Sequence, residues 1–367
     1  MNLNQVNNLL RGLVFGLVLL VMAAIIAGCS SQFKKILSPG ETIKEDIPLI
    51  GYQTWVDFEV KAEVVYRHLQ DTDNVARAFN WIKFKEKGED TGRLDTPGDG
   101  IHFSSRIAGI PFKGRMVLTS SEFAQRIEIF QVMSVWSRQQ WWRENLDDGR
   151  VRMHLRMYTE LPDIPFMSGI LSPEMIARQA GKRIDYSFDR VKADLEGLPL
   201  PEEFPETCRG KVVSSTARIY RTAIEIEMPR AEVYEYITRL KNFNRASEML
   251  NFDSFTGAEV VSKVGQQCRV TSMPDAPFEL SGRSLIVESK ENRLIHHLIY
   301  FEESFAGFIV KLRRKGINNT LLEYSFYYQI PDYSSEQLVT TLHAVSQLDG
   351  ALRLALQNIR AELESNP

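Results

Sequence analysis

The chain is poor in the residues that carry chemistry. Its 367 residues include three cysteines and six histidines. Cys208 and Cys268 have no CxxC context and no histidine beside them, which argues against a thiol nucleophile or a zinc knuckle. His68, His102, His154 and His343 lack the mutual spacing of a zinc site. His296 and His297 are adjacent in a predicted strand, so their side chains diverge and cannot chelate one ion together. One of them, turned inward, remains open as a lone general base. No G-x-S-x-G elbow and no GxxxxGK[ST] loop occurs, so neither a hydrolase nor a nucleotide-binding signature is present and no cofactor is indicated. Charge is also nearly balanced, 44 Lys and Arg against 47 Asp and Glu, net −3, which leaves no electrostatic footprint for nucleic acid.

Residues 12–28 lack charge altogether and end in Ile26-Ala27-Gly28-Cys29. The run is short for a membrane span, which needs about 20 apolar residues. A lone Arg11 before it and small residues after it give the layout of a secretory signal. The four residues resemble the lipobox of bacterial lipoproteins. That resemblance implies lipidation of Cys29, removal of residues 1–28, and anchoring by acyl chains at about 0.8 kcal/mol per buried methylene. Ser30 after the cysteine, where an aspartate would imply inner-membrane retention, places the expected location on the periplasmic face of the outer membrane. An oxidising compartment permits a Cys208–Cys268 disulfide, but sequence alone cannot supply its geometry.

The remainder repeats itself. Ala62-Glu63-Val64 recurs as Ala231-Glu232-Val233, Gly114-Arg115 as Gly282-Arg283, and Pro162-Asp163 as Pro331-Asp332, all at offsets of 168 or 169. This period is far longer than that of a solenoid and predicts a duplicated domain. The expected organisation is a signal over 1–28, a tether over 29–44, a first domain over 45–197, a proline-rich linker over 198–210, and a second domain over 211–364.

Each half reads in the same order. A strand comes first (54–60, then 217–227), helical segments follow (62–79, then 230–248), and several alternating runs precede one long helix. In the first half that helix is bracketed by Ser172-Pro173-Glu174, an N-cap signal, and Gly197, a C-cap. Ile176, Ala180, Ile184, Phe188, Val191 and Leu195 mark its apolar face. Leu338, Leu342, Val345, Leu348, Leu352, Leu356, Ile359 and Leu363 mark the second. This order resembles the START-like or SRPBCC superfamily, whose helix-grip fold occurs in hydrophobic-ligand carriers, lipid-transfer domains and polyketide cyclases. The implied fold class is α+β, with two tandem domains, each a curved antiparallel sheet wrapped around its C-terminal helix. No catalytic residue of the superfamily maps onto a position here.

Alternation nominates the walls of such cavities. Met153, Leu155 and Met157 share one face of the 150–158 run, with Arg152, His154 and Arg156 opposite. Phe308, Val310 and Leu312 share a face, as do Tyr324, Phe326 and Tyr328, with Lys311 on the opposite side facing solvent. Trp136, Trp141 and Trp142, interleaved with Arg138, Gln139, Gln140 and Arg143, suggest a pocket mouth or membrane rim, with Trp136 and Trp141 toward the ligand. These residues predict a lipoprotein that binds or shuttles an apolar small molecule such as a lipid or isoprenoid, rather than an enzyme. The alternatives are an envelope adaptor with filled cores and a cyclase or aromatase.

Overall fold

The computed structural model describes residues 36–85, 92–107, 110–133, 136–160, 172–247, 249–276, 281–301, 304–330, 350 and 353–365. Cys29 and the signal-like run lie outside them. In the first half, β1 (Thr42–Phe58) leads to helices α1 (Ala62–Gln70) and α2 (Thr72–Ala78), then β2 (Ile82–Lys85), β3 (Gly100–Ile107), β4 (Ile110–Glu122), β5 (Arg126–Met133), β6 (Trp136–Asn145) and β7 (Val151–Glu160). Helix α3 (Pro173–Glu196) closes the half. The second half repeats this with β8 (Lys211–Ile226), α4 (Arg230–Thr238), α5 (Leu240–Ala246), β9 (Leu250–Ser254), β10 (Gln267–Ser272), β11 (Ser281–Lys290), β12 (Leu294–Phe301), β13 (Ser304–Arg314) and β14 (Thr320–Ile330). A helix over 353–365, here α6, follows.

Local chemistry sets the helix ends. The helical run expected over 62–79 breaks at Asp71, whose carboxylate accepts from the backbone N–H groups of Asp73 and Asn74 and so starts α2. Ser172 Oγ accepts from Met175 N at 3.2 Å, and Gly197 ends α3 at φ 69°. Leu356, Ile359 and Leu363 of α6 enter the second core; the predicted positions from Leu338 to Leu352 lie outside the described residues.

All fourteen strands form one antiparallel sheet in the order β2-β3-β4-β5-β6-β7-β1-β8-β14-β13-β12-β11-β10-β9. The repeat is visible here, since the last strand of each half pairs back onto its first. What the sequence reading lacked is the join. β1 begins at Thr42, inside the segment assigned to a tether, because its first part pairs with β8 from Thr42↔Thr222 to Gln53↔Lys211. Its later part pairs with β7 from Leu49↔Glu160 to Phe58↔Val151. Leu37 is already buried, with its N–H donating to Glu323 Oε1 at 3.2 Å.

Each half-sheet therefore buries one face and part of the other. One covers its helix, in cores containing Ile184 and Phe188 or Leu356 and Ile359. The other meets the opposite half in a layer that includes Leu49, Val117, Phe130 and Tyr158 against Ile219, Leu285, Leu298 and Tyr327. Gly98 (φ 106°) allows this approach, since a Cβ there would stand 2.5 Å from the Cα of Gly265, its counterpart in the other half. The expectation that Lys311 faces solvent is thus corrected. Burial, together with the neighbouring Arg221, pushes its ammonium down to about 8. Glu323, Ser325 and Tyr327 on the same side of β14 are buried as well.

A polar knot ties α3 to the join. Asp185 accepts from Tyr52 Oη and Thr54 Oγ1, each at 2.6 Å, and from Arg209 N at 2.7 Å. Gly210 N in turn donates to Tyr52 Oη at 2.7 Å. Three hydrogen bonds satisfy a carboxylate that would otherwise be costly to bury. Gly181 lets α3 lie close to β1, because a Cβ there would meet the Tyr52 ring at 2.5 Å.

Candidate ligand cavities

The first half holds two adjoining spaces, the larger between α3 and the sheet and the smaller between α1, α2 and the sheet. The larger, about 70 Å3 of room for the centre of a water-sized sphere, lies under Ile176, Ala177, Ala180 and Ile184 of α3. Its other walls include Tyr52, Phe103, Leu155 and Met157, with Gln131, Ser137, Gln139 and Thr159 as polar members. The smaller, about 50 Å3, is bounded by Leu69, Leu94, Met116, Ile127, Ile129 and Trp141. Phe79, Ile82 and Gln139 border both, so the two spaces, a larger and a smaller lobe of the first-half core, adjoin across these side chains. A single water requires about 10–15 Å3 by this measure, so each space has more room than one water needs.

A smaller cavity in the second half, about 40 Å3, is walled by Ile237, Phe243, Phe252, Phe308, Val310, Phe326 and Ile359, with His297, Thr238, Ser247 and Tyr324 as polar members. Three of these are partnered. His297 Nδ1 lies 2.9 Å from Ser284 Oγ, Thr238 Oγ1 donates to Tyr234 O at 2.9 Å, and Ser247 Oγ accepts from Leu250 N at 3.2 Å. The His297 ring stacks on Phe308 at 4.4 Å. Burial, with His296 adjacent, pushes its pKa down to about 3, so the ring is neutral. His296 points the other way, into the layer between the halves, where Nε2 lies 2.6 Å from Tyr327 Oη. Burial and Lys311 hold it at about 3 as well. The divergence expected of adjacent strand residues is thus observed.

The nominated residues divide accordingly. Leu155 and Met157 line the larger lobe and Trp141 the smaller, while Met153 is buried in the same core without reaching either. Phe308, Val310, Tyr324 and Phe326 line the second cavity; Leu312 and Tyr328 are packed in its core away from the space. Trp136 belongs to β6, and its side chain is outside the described set. Trp142, on the face opposite Trp141, stacks on His154 at 4.9 Å with the Arg156 guanidinium 5.4 Å from its ring, which gives it a place in a surface stack. The sequence reading missed Gln131, Ser137 and Gln139, which it treated as part of a rim or did not single out.

The Cys208–Cys268 pairing is not made. Both thiols are free. Cys208 packs beside the first core, with Sγ donating to Arg178 O at 3.2 Å, whereas Cys268 is buried in the second core. Burial raises the Cys268 thiol to about 11. Among the described residues no group of three or more His, Cys, Asp or Glu side chains is arranged to hold a metal ion.

No protein-family model matches the chain, and no curated protein matches it in sequence. Solved structures that resemble it include the di-domain ARO/CYC BexL from the BE-7585A biosynthetic pathway, at 13% identity, covering 89% of this chain and 100% of that one with a TM-score of 0.32. The di-domain ARO/CYC StfQ from the steffimycin biosynthetic pathway shares 12% identity over 85% of this chain and 98% of its own, with a TM-score of 0.34. Norcoclaurine synthase from Thalictrum flavum shares 10% identity over 42% of this chain and 90% of its own, with a TM-score of 0.32. Similarity this distant adds no argument about the site, which rests on the chain's own geometry.

Proposed function

We propose that this chain is a lipid-anchored protein of the bacterial envelope, built of two helix-grip domains, that holds an apolar small molecule between sheet and helix. The observation that carries the reading is the pair of adjoining cavities in the first half, the larger under α3, walled mainly by apolar and aromatic side chains with a few polar groups among them. That is the composition of a small-molecule site. Methionine walls such as Met116 and Met157 adapt to irregular ligands. The lipobox-like run Ile26-Ala27-Gly28-Cys29 supports the anchoring. Binding is favoured over a cyclase, because the histidine in the second cavity bonds to a serine and, among the described residues, no carboxylate joins it in the lining.

Two measurements test the proposal. In the native host, Cys29→Ser leaves an unprocessed precursor without acyl mass; an unmodified Cys29 in the mature membrane-bound protein overturns the anchoring. For binding, the probe is N-phenyl-1-naphthylamine. Its fluorescence rises on uptake by the wild-type chain, and Ala177→Leu, which fills the larger lobe, weakens uptake about tenfold. Ile317→Ala, on an exposed turn, leaves it unchanged. Absence of uptake, or equal uptake by the filled variant, moves the reading to the adaptor.

A further inference from the structure

The two halves serve as each other's control, because their strands pair in matching register. Ile129↔Gln139 and Gln131↔Ser137 in β5 and β6 correspond to His297↔Phe308 and Ile299↔Ala306 in β12 and β13. At the same offset Trp141 corresponds to Val310. A row of Ser137, Gln139 and Trp141 on one face of β6 therefore stands where the other half carries Ala306, Phe308 and Val310. Gln131 beside it replaces Ile299. The first cavity has acquired a polar rib at positions where the repeat keeps an apolar wall.

That rib is poorly satisfied by the protein. Ser137 Oγ and Trp141 Nε1 are buried without a hydrogen-bond partner among the described residues, at 1% and 6% residue exposure. Gln131 Nε2 reaches only Met116 Sδ at 3.7 Å, and Gln139 Nε2 only Met157 Sδ at 3.8 Å. A thioether sulfur is a weak acceptor, and an unpaired buried donor is a cost that native structures seldom retain without a use. Indole and amide N–H groups are donors, and a hydroxyl can donate. Residues i, i+2 and i+4 of a strand project from one side, so these three side chains follow about 13 Å of β6, with Ser137 and Gln139 on the larger space and Gln139 and Trp141 on the smaller.

We propose that the first-half cavity selects apolar ligands bearing hydrogen-bond acceptor oxygens, such as fused-ring ketones. This rests on the ligand-binding reading above and names the class of ligand. The carbonyl oxygen accepts from the β6 row, while the rings occupy the space beneath α3.

The test uses 9-fluorenone and fluorene, which have the same three-ring frame with and without a carbonyl, titrated into the full chain by equilibrium dialysis. Fluorenone is expected to bind at least about tenfold more tightly. Ser137→Ala, Gln139→Leu and Trp141→Phe each remove a donor while keeping the wall apolar; at least one of them brings fluorenone down to the affinity of fluorene and leaves fluorene binding as in the wild type. Ile317→Ala, at an exposed position away from both halves' cavities, leaves the preference intact. Ser137→Ala retains the wild-type melting temperature, since it deletes an unpaired hydroxyl, so its effect on binding is separable from folding. Equal affinities for the two probes, or a preference unchanged in all three variants, overturn the selectivity while leaving the ligand-binding reading in place. Binding of neither probe overturns both.

Discussion

Lowering the pH from 7 to 5 removes about 4 kcal/mol of folding stability through two buried histidines alone. His296 and His297 are neutral in the folded chain, with pKa values near 3 set chiefly by burial. In the unfolded chain each titrates near 6.5. Above that value neither state binds the proton and the full stability is present. Below it the unfolded state gains protons that the folded state refuses, so stability is lost progressively as the pH falls through the folded value. At pH 5 each ring contributes about 2 kcal/mol, and this figure barely changes if the folded value lies a unit higher. Urea unfolding at the two pH values measures the loss. Replacing His296 by Gln, which keeps a polar group near Tyr327 Oη, is expected to halve the histidine share. An equal pH dependence in wild type and variant would show that the folded chain takes up the proton at His296 as readily as the unfolded chain does.

The position of these two rings marks what the sequence could and could not disclose. Their divergence was readable from strand alternation, as was the inward face of Phe308, Val310, Tyr324 and Phe326. The caps at Ser172 and Gly197 were readable because capping chemistry is local. The burial of His296 was not. Strands that alternate apolar and polar residues imply one solvated face, yet here that face meets the other half, so Glu323 and Ser325 lie inside and Lys311 is half-buried. Nothing local distinguishes a polar residue facing water from one facing a partner sheet. The β1–β8 join escaped notice for the same reason, since pairing between edge strands depends on a register more than 150 residues apart. The polar rib was hidden differently. Ser137, Gln139 and Trp141 lie within a run of tryptophans, arginines and glutamines whose overall character suggests surface, and only the comparison with Ala306, Phe308 and Val310 singles out its inner face.

Replacing Glu128 by alanine is expected to lower stability by about 3–5 kcal/mol, because it withdraws the carboxylate from a buried ionic group that bridges the halves. Glu128 and Arg138 are 3% and 6% exposed. Arg138 Nη2 donates to both carboxylate oxygens at 3.0 and 3.1 Å, and its Nη1 donates to Gln329 Oε1 of the second half at 3.0 Å. Gln140 Nε2 donates to Glu128 as well, at 3.1 Å, and Arg126 pairs with it. Burial raises the carboxyl pKa, but Arg138 and Arg126 outweigh burial, so the group stays ionised below its usual range. Withdrawing it strands Arg138 in the layer without that counter-charge. The double replacement Glu128→Leu, Arg138→Met removes both charges and is expected to recover most of the loss, as apolar substitutes for buried ion pairs can. Because the group spans the layer between halves, the single variant should lower the whole transition of the intact chain, read by far-UV circular dichroism and tryptophan fluorescence together. A loss below 1 kcal/mol, or two separated transitions with only the first half destabilised, would mean that the layer does not couple the halves.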